Sequence, residues 1–324
     1  NDGAQMTQPP RPWYRRPSRI LPMVAAAAGL AMVVISIATP WPAAMIIRAM
    51  FEKDGGETAT KMAAFVPATP LQSQLAVPTG PDGSGPTFDV FSPEGTEGPL
   101  PTVIWIHGGA WISGSSANVR PYVEIIAGHG YTTVALNYTV APEAVYPVAL
   151  QQLNDSLAFL LDHADEYRID PTQIVLAGDS AGANLASQLA VLATNPEYAD
   201  LLGIAPALAP EQLAGMVLNC GIYDVSGVAD APGIGGWGFR EALWAYLGDR
   251  DWPTSVGANE MSTLDHVTAD FPTTWISGGN GDPLTASQSK PLAAALTALG
   301  VSVTEQFYPA DLTPALPHEH QFHP

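Results

Sequence analysis

Apolar and polar positions fall into two regimes along this chain. From Val103 to Phe307, short apolar runs alternate with helix-length stretches. The runs Thr102–Ile106, Ile174–Ala177, Met216–Cys220, Thr273–Ser277 and Val301–Phe307 have strand length and little polar alternation. Strands apolar on both faces belong to a sheet covered on both sides, which predicts a mostly parallel α/β sheet. Between the runs, the small-residue stretch Ala181–Leu192 and the segment Leu284–Leu299 predict covering helices. Val225–Gly238 is glycine-rich and reads as irregular, and Phe239–Leu247 that follows reads as an amphipathic helix.

The second regime is N-terminal. Ile20–Thr39 holds no charge at all, and Arg11, Arg15, Arg16 and Arg19 precede it. Twenty helical residues span roughly 30 Å, the thickness of a bilayer's hydrocarbon core. A membrane-spanning signal anchor with the basic flank inside and the globular part outside is the expected reading. A cleaved signal peptide is the alternative, given Ala25–Ala28 and Ala43-Ala44, and would make the protein secreted. A buried core helix fits worst, because the segment has no polar face. The apolar character resumes over Trp41–Met50 with the single Arg48, as in a segment lying along a membrane surface. The organisation expected is a basic segment 1–19, a spanning helix 20–39, a linker or N-terminal cap segment 40–84, and a globular domain 85–324 with a cap insertion at about 225–262.

Charge adds direction to this picture. Seven of the 12 basic residues occur by Lys61, so the chain beyond it carries about −22. Such a surface repels nucleic acid and anionic headgroups, and no nucleic-acid partner is expected. At 324 residues and 47% apolar content the chain can bury one large core. The single cysteine, Cys220, has no intrachain disulfide partner and reads as a buried strand residue. Metal-ligand spacings and a phosphate-binding glycine loop with lysine are absent, so no cofactor and no metal are expected.

Candidate chemistry lies at the ends of the predicted strands. Gly178-Asp179-Ser180-Ala181-Gly182 follows the run ending at Ala177 and opens the Ala181 helix. Strand, sharp turn and helix are the setting in which Gly-x-Ser-x-Gly exposes a nucleophilic serine at a sheet edge. His107-Gly108-Gly109-Ala110-Trp111 follows the run ending at Ile106. A glycine-rich loop there can turn backbone N–H groups onto a developing oxyanion, with Gly109 and Ala110 as donors, Gly108 beside them and Ala181 behind the serine. Downstream, Asp282 follows the Thr273–Ser277 run and His318 follows the Val301–Phe307 run, which gives the order serine, acid, histidine. Asp179 reads as a residue that fixes the elbow by hydrogen bonds. Of the other histidines, His107 reads as orienting its loop, His129 and His163 as surface residues, and His320 and His323 as rivals of His318.

With these motifs the chain resembles the hormone-sensitive-lipase-like esterases of the α/β-hydrolase fold. The resemblance rests on His107–Trp111, Gly178–Gly182, Asp282-Pro283-Leu284, the His318 segment, and Asn137–Glu143 with Tyr146-Pro147, over residues 85 to 322 or so. Ala110 stands where that group most often has a third glycine, yet an alanine still offers its N–H. The resemblance implies a mostly parallel central sheet with a small helical cap. It also implies a cofactor-free serine esterase acting on a small-molecule ester of short or medium acyl chain, with Ser180 as nucleophile, His318 as base and Asp282 orienting it. Trp111, Trp237, Trp244 and Tyr246 are the aromatic residues expected around the acyl pocket. Carbohydrate acetyl esterase, arylformamidase and a non-catalytic membrane-tethered binding protein remain open alternatives. Six residues follow His318 where that group continues into a final helix, so a weakly held base is expected.

Overall fold

The computed structural model describes residues 17–323. The basic segment expected over 1–19 therefore lies outside the described residues except for its last positions. Helix α1 (Pro17–Ala38) has no polar face, and its window Leu21–Ala38, with mean hydropathy 2.3, buries nothing against the rest of the protein. After Thr39 and Pro40 the chain enters α2 (Trp41–Met62), which opens with a proline in its first turn, where the lost N–H is harmless.

The segment 40–84, expected as a linker or N-terminal cap segment, is packed against the body. Ala44 and Ile47 of α2 enter the main core, and Arg48 pins the helix to the body. Its guanidinium donates to the Ile112 and Ala141 carbonyl oxygens at 2.6 and 2.7 Å and to both oxygens of Glu143. The sheet also begins before residue 85. Strand β1 (Leu71–Pro78) pairs antiparallel with β2 (Thr87–Pro93) at one edge.

The chain then alternates in the manner the apolar runs predict: β3 (Leu100–Ile106), α3 (Ser116–Ala127), β4 (Thr132–Leu136), α4 (Val148–Asp162), α5 (Ala164–Tyr167), β5 (Ile169–Asp179), α6 (Ala181–Thr194), α7 (Pro196–Leu202) and β6 (Leu213–Asn219). After β6 come α8 (Gly233–Leu247), α9 (Val256–Met261), β7 (Thr274–Gly278), α10 (Lys290–Ala298) and β8 (Val303–Phe307). The eight strands lie in the order β1-β2-β4-β3-β5-β6-β7-β8, with β2–β4 also antiparallel and every pair from β4 onward parallel.

Alternation along β3 explains why its run is apolar throughout. Ile104 and Ile106 point into the core beneath α6, whereas Val103 and Trp105 point into a second core beneath α3. Every residue of α6 is buried, and its small side chains allow close packing behind the central strands. Of the glycine-rich stretch Val225–Gly238 read as irregular, residues 233–238 form the first turns of α8. Gly236 packs there against the Ala231 carbonyl at a distance that no Cβ could share.

Candidate active site

Four loops at the carboxyl edge of the parallel strands converge on one cleft. Ser180 follows β5 at φ +51°, ψ −120°, a conformation that few L-residues adopt. Two close approaches hold it there. A Cβ on Gly182 would lie 2.0 Å from the Ile106 carbonyl oxygen, and one on Gly178 would lie 2.6 Å from the Gly182 backbone. Only glycine at both positions lets the strand, turn and helix pass so closely. The Ser180 amide donates to the Asn219 carbonyl at 2.9 Å, which ties the turn to the end of β6.

His318 reaches this serine from the loop after β8. Its Nε2 lies 3.0 Å from Ser180 Oγ, and its Nδ1 lies 2.8 Å from Asp282 Oδ2 in the loop after β7. Asp282 is buried, and its Oδ1 accepts from the Leu284 amide at 2.9 Å, so its carboxylate is oriented by its own turn. The expectation of a weakly held base is not met. The Asn280 side chain accepts from the Leu316 amide, Gly281 donates to the Leu316 carbonyl, and Phe322 packs edge-on against Tyr122 beside Trp105. The chain after His318 therefore plugs into the core beneath α3.

The loop after β3 carries three residues at positive φ in succession, Gly109, Ala110 and Trp111. Among the described residues, the Gly109 and Ala110 amides meet no protein acceptor. Ala181 opens α6, where the first amides have no partner within the helix. Gly108 differs from the expectation that it shares this duty. Its N–H is already spent on Asp179 Oδ2 at 2.9 Å, while Asp179 Oδ1 accepts from Trp105 Nε1 at 2.7 Å. Asp179 thus links the elbow to the neighbouring loop, and burial together with the nearby Glu319 pushes its carboxyl well above the usual range. His107 is buried, stacks on Tyr138 and is pushed down to about 4 by burial, so it stays neutral and orients its loop.

The four aromatic residues expected around the pocket lie elsewhere. Trp111 and Tyr246 are fully buried and stack on one another at 5.4 Å beneath the cap. Trp244 carries the Arg250 guanidinium over its ring, and Trp237 stands at the surface. On α8 both tryptophans lie on the opposite side from Phe239, and it is Phe239 that faces the cleft. The cleft, of about 460 Å³, is roofed by α2 through Phe51, Asp54, Glu57, Thr58 and Lys61.

Cys220 sits just past β6 at φ +43°, fully buried, rather than within a strand. Burial pushes its thiol up. Among the described residues, Cys220, Asp282 and His318 form the one group whose metal-capable atoms lie within 4.8 Å of one another. Two of the three are engaged in the Asp282–His318 hydrogen bond, an arrangement suited to moving a proton.

The BD-FAE family model matches residues 88–296, which run from β2 into α10. The chain belongs to the BD-FAE family. Carboxylesterase NlhH of Mycobacterium tuberculosis is 30% identical over 224 residues, covering 66% of each chain. Esterase LipQ of the same organism is 26% identical over 70% of this chain and 53% of its own. The chain spans between 28% and 66% of the length of the curated relatives it matches.

Among solved structures, esterase B of Lactobacillus rhamnosis superposes with a TM-score of 0.71 at 22% identity, over 87% of this chain and 89% of that one. The esterase of Pyrobaculum calidifontis superposes with a TM-score of 0.64, also at 22% identity, over 85% of each chain. The BD-FAE match and these neighbours agree with the resemblance to α/β-hydrolase esterases read from the motifs, and the chain has that fold.

Proposed function

We propose that this BD-FAE family member is a serine carboxylesterase that works through an acyl-enzyme. The observation that carries the reading is the unbroken hydrogen-bonded line from Asp282 through His318 to Ser180. Ser180 Oγ attacks the ester carbonyl carbon as His318 Nε2 takes its proton. Asp282 holds Nδ1–H and stabilises the imidazolium that results. The carbonyl oxygen becomes an oxyanion facing the Gly109, Ala110 and Ala181 amides. Collapse breaks the bond to the alcohol oxygen, which receives the proton from Nε2. Water then adds to the acyl carbon as Nε2 takes its proton; collapse breaks the bond to Ser180 Oγ, which receives that proton from Nε2, and the carboxylic acid leaves.

A cleft of about 460 Å³ under a small cap supports short to medium acyl chains. Rates on p-nitrophenyl esters from acetate to palmitate test both parts of the proposal. Turnover is expected to peak between acetate and octanoate, and absence of turnover on every chain length would remove the esterase reading.

The base also sets a pH dependence. Burial of the imidazole opposes its charge, but the Asp282 hydrogen bond and the Glu319 carboxylate favour it and hold His318 well above the ordinary 6.5. Cys220, Asp179 and His320 are the other titratable groups nearby. The form able to accept the serine proton is the neutral imidazole, so a raised pKa demands higher pH. The acid limb of kcat/KM, which reports the free enzyme, is expected to have its midpoint above pH 6.5. A limb centred below that value would mean that His318 is not the titrating base.

The membrane reading rests on Leu21–Ala38 of α1, whose apolar surface is left exposed among the described residues. As a signal anchor it holds the catalytic domain outside the cytoplasm; if it is cleaved, the enzyme is secreted. Retention in membranes after carbonate washing, with the activity accessible from outside intact cells, distinguishes the two.

A further inference from the structure

Glu319 is the one strongly placed side chain of the cleft that the esterase cycle does not use. It follows His318 directly and holds φ +56°, the left-handed region that non-glycine residues seldom occupy. This backbone turns its carboxylate back over the reacting groups. Oε1 stands 3.9 Å from His318 Nε2, and a Cβ on Gly108 would come within 3.1 Å of the same oxygen. The carboxylate therefore lies between the proton-donating nitrogen and the oxyanion loop, partly exposed to the cleft. Among the described residues no lysine or arginine lies within 4.0 Å of it.

We propose that Glu319 forms a subsite for the departing alcohol and selects esters whose alcohol carries a hydrogen-bond donor on the carbon next to the ester-bearing one. The proposal rests on the esterase reading above. When the alcohol leaves, its oxygen must lie about 3 Å from Nε2 to receive the proton. An acceptor roughly 4 Å from that nitrogen then stands beside the alcohol's first two carbons. An ionised carboxylate can only accept hydrogen bonds. A simple alkyl alcohol would strip water from it and return nothing, and its charge would stay uncompensated beside the growing oxyanion. A hydroxyl or ammonium on the neighbouring carbon answers both problems.

The roof supports the same choice independently. The face of α2 turned to the cleft carries Asp54, Glu57, Thr58 and Lys61 beside a single apolar residue, Phe51, with Asn118 of α3 next to them. Four of the five α2 residues in that wall are therefore polar, where a wholly apolar alcohol would call for more like Phe51.

Three butyrate esters test the proposal on the full chain in detergent: 2-hydroxyethyl and propyl butyrate, which are matched in size, and the larger 2-(dimethylamino)ethyl butyrate. In the unaltered protein at least one donor-bearing ester is expected to exceed the propyl ester about tenfold in kcat/KM. Glu319→Ala is expected to bring that ratio close to one. Because both esters are measured on the same preparation, partial misfolding or a shifted His318 cancels from the ratio.

Glu319→Gln keeps an acceptor and loses the charge, so a preference for hydroxyl survives it and a preference for ammonium does not. A ratio near one in the unaltered protein, or a ratio unchanged by Glu319→Ala, would overturn the subsite. Failure of the unaltered protein to hydrolyse any of the three would overturn the esterase reading, and the subsite with it.

Discussion

Ser180→Ala is expected to lower kcat on p-nitrophenyl butyrate by about 10⁴- to 10⁶-fold, the scale seen when a serine hydrolase loses its nucleophile. The size of the effect follows from what remains. The amides of Gly109, Ala110 and Ala181 and the walls of the cleft are untouched, so substrate still binds and its carbonyl is still polarised. Without Oγ, however, the acyl-enzyme route is closed and His318 can only activate water from a poor position. Folding should hardly change. The strained turn is held by the backbone, through the Ser180 amide bonded to Asn219 and the close approaches at Gly178 and Gly182. The melting temperature is therefore expected to stay within a few degrees, which separates a chemical loss from a structural one. Labelling by a fluorophosphonate probe should vanish with the activity. If more than a hundredth of the activity survives in protein free of wild-type carry-over, Ser180 is not the nucleophile and the acyl-enzyme cycle falls.

The elbow was legible because its constraints are local. Two glycines flank a serine by two residues on each side, an apolar run precedes them and small residues follow. Those five positions suffice to demand the strained turn that the structure contains. The meeting of Ser180, Asp282 and His318 was legible at one remove. Each follows an apolar run, and parallel strands bring all such loops to one edge of a sheet.

What lay beyond reach were features decided by packing rather than by pattern. Strand β1 is Leu-Gln-Ser-Gln-Leu-Ala-Val-Pro, mostly exposed at a sheet edge, so it carries no apolar run to announce it. The pocket aromatics were misplaced for a related reason. Trp111, Trp237, Trp244 and Tyr246 are large and near the motifs, but Trp111 and Tyr246 stack on one another in the core, and the rotation of α8 turns Phe239 rather than Trp237 or Trp244 to the cleft. Helix α2 was legible only in part. The chain from 40 to 84 reads as a linker or N-terminal cap segment, but nothing in its pattern says that Ala44 and Ile47 are core residues or that Arg48, the one charge in the stretch Trp41–Met50, fastens the roof of the cleft to the body. Cys220 was legible only as a buried residue, and Glu319 not at all. Their meaning is contact with His318, which arises only when the loops after β6 and β8 come together.

The choice of base among neighbouring histidines has the second-largest expected consequence. His318→Asn is expected to lower kcat by 10⁴-fold or more, roughly the cost of removing the base from a serine hydrolase. His320→Asn should change it by no more than about threefold. Both residues lie on the same short segment, but Glu319 between them takes the left-handed conformation and sends the two rings apart. His318 bridges Asp282 and Ser180. His320 instead sets its ring edge-on to Tyr308 at 5.2 Å, with no hydrogen-bond partner for Nδ1 among the described residues. Burial and the neighbouring His318 and His323 lower its pKa, and the pull of Asp282 does not offset them. It therefore has neither an orienting carboxylate nor reach to the serine. Added imidazole supplies a further check, since it can enter the space left by His318→Gly and act as a diffusible base. Partial recovery of activity with imidazole in that variant, and none in Ser180→Ala, is the expected pattern. A large loss in His320→Asn together with a small one in His318→Asn would mean that the segment after β8 adopts a different register in the working enzyme, and the assignment of the base would move two residues along the chain.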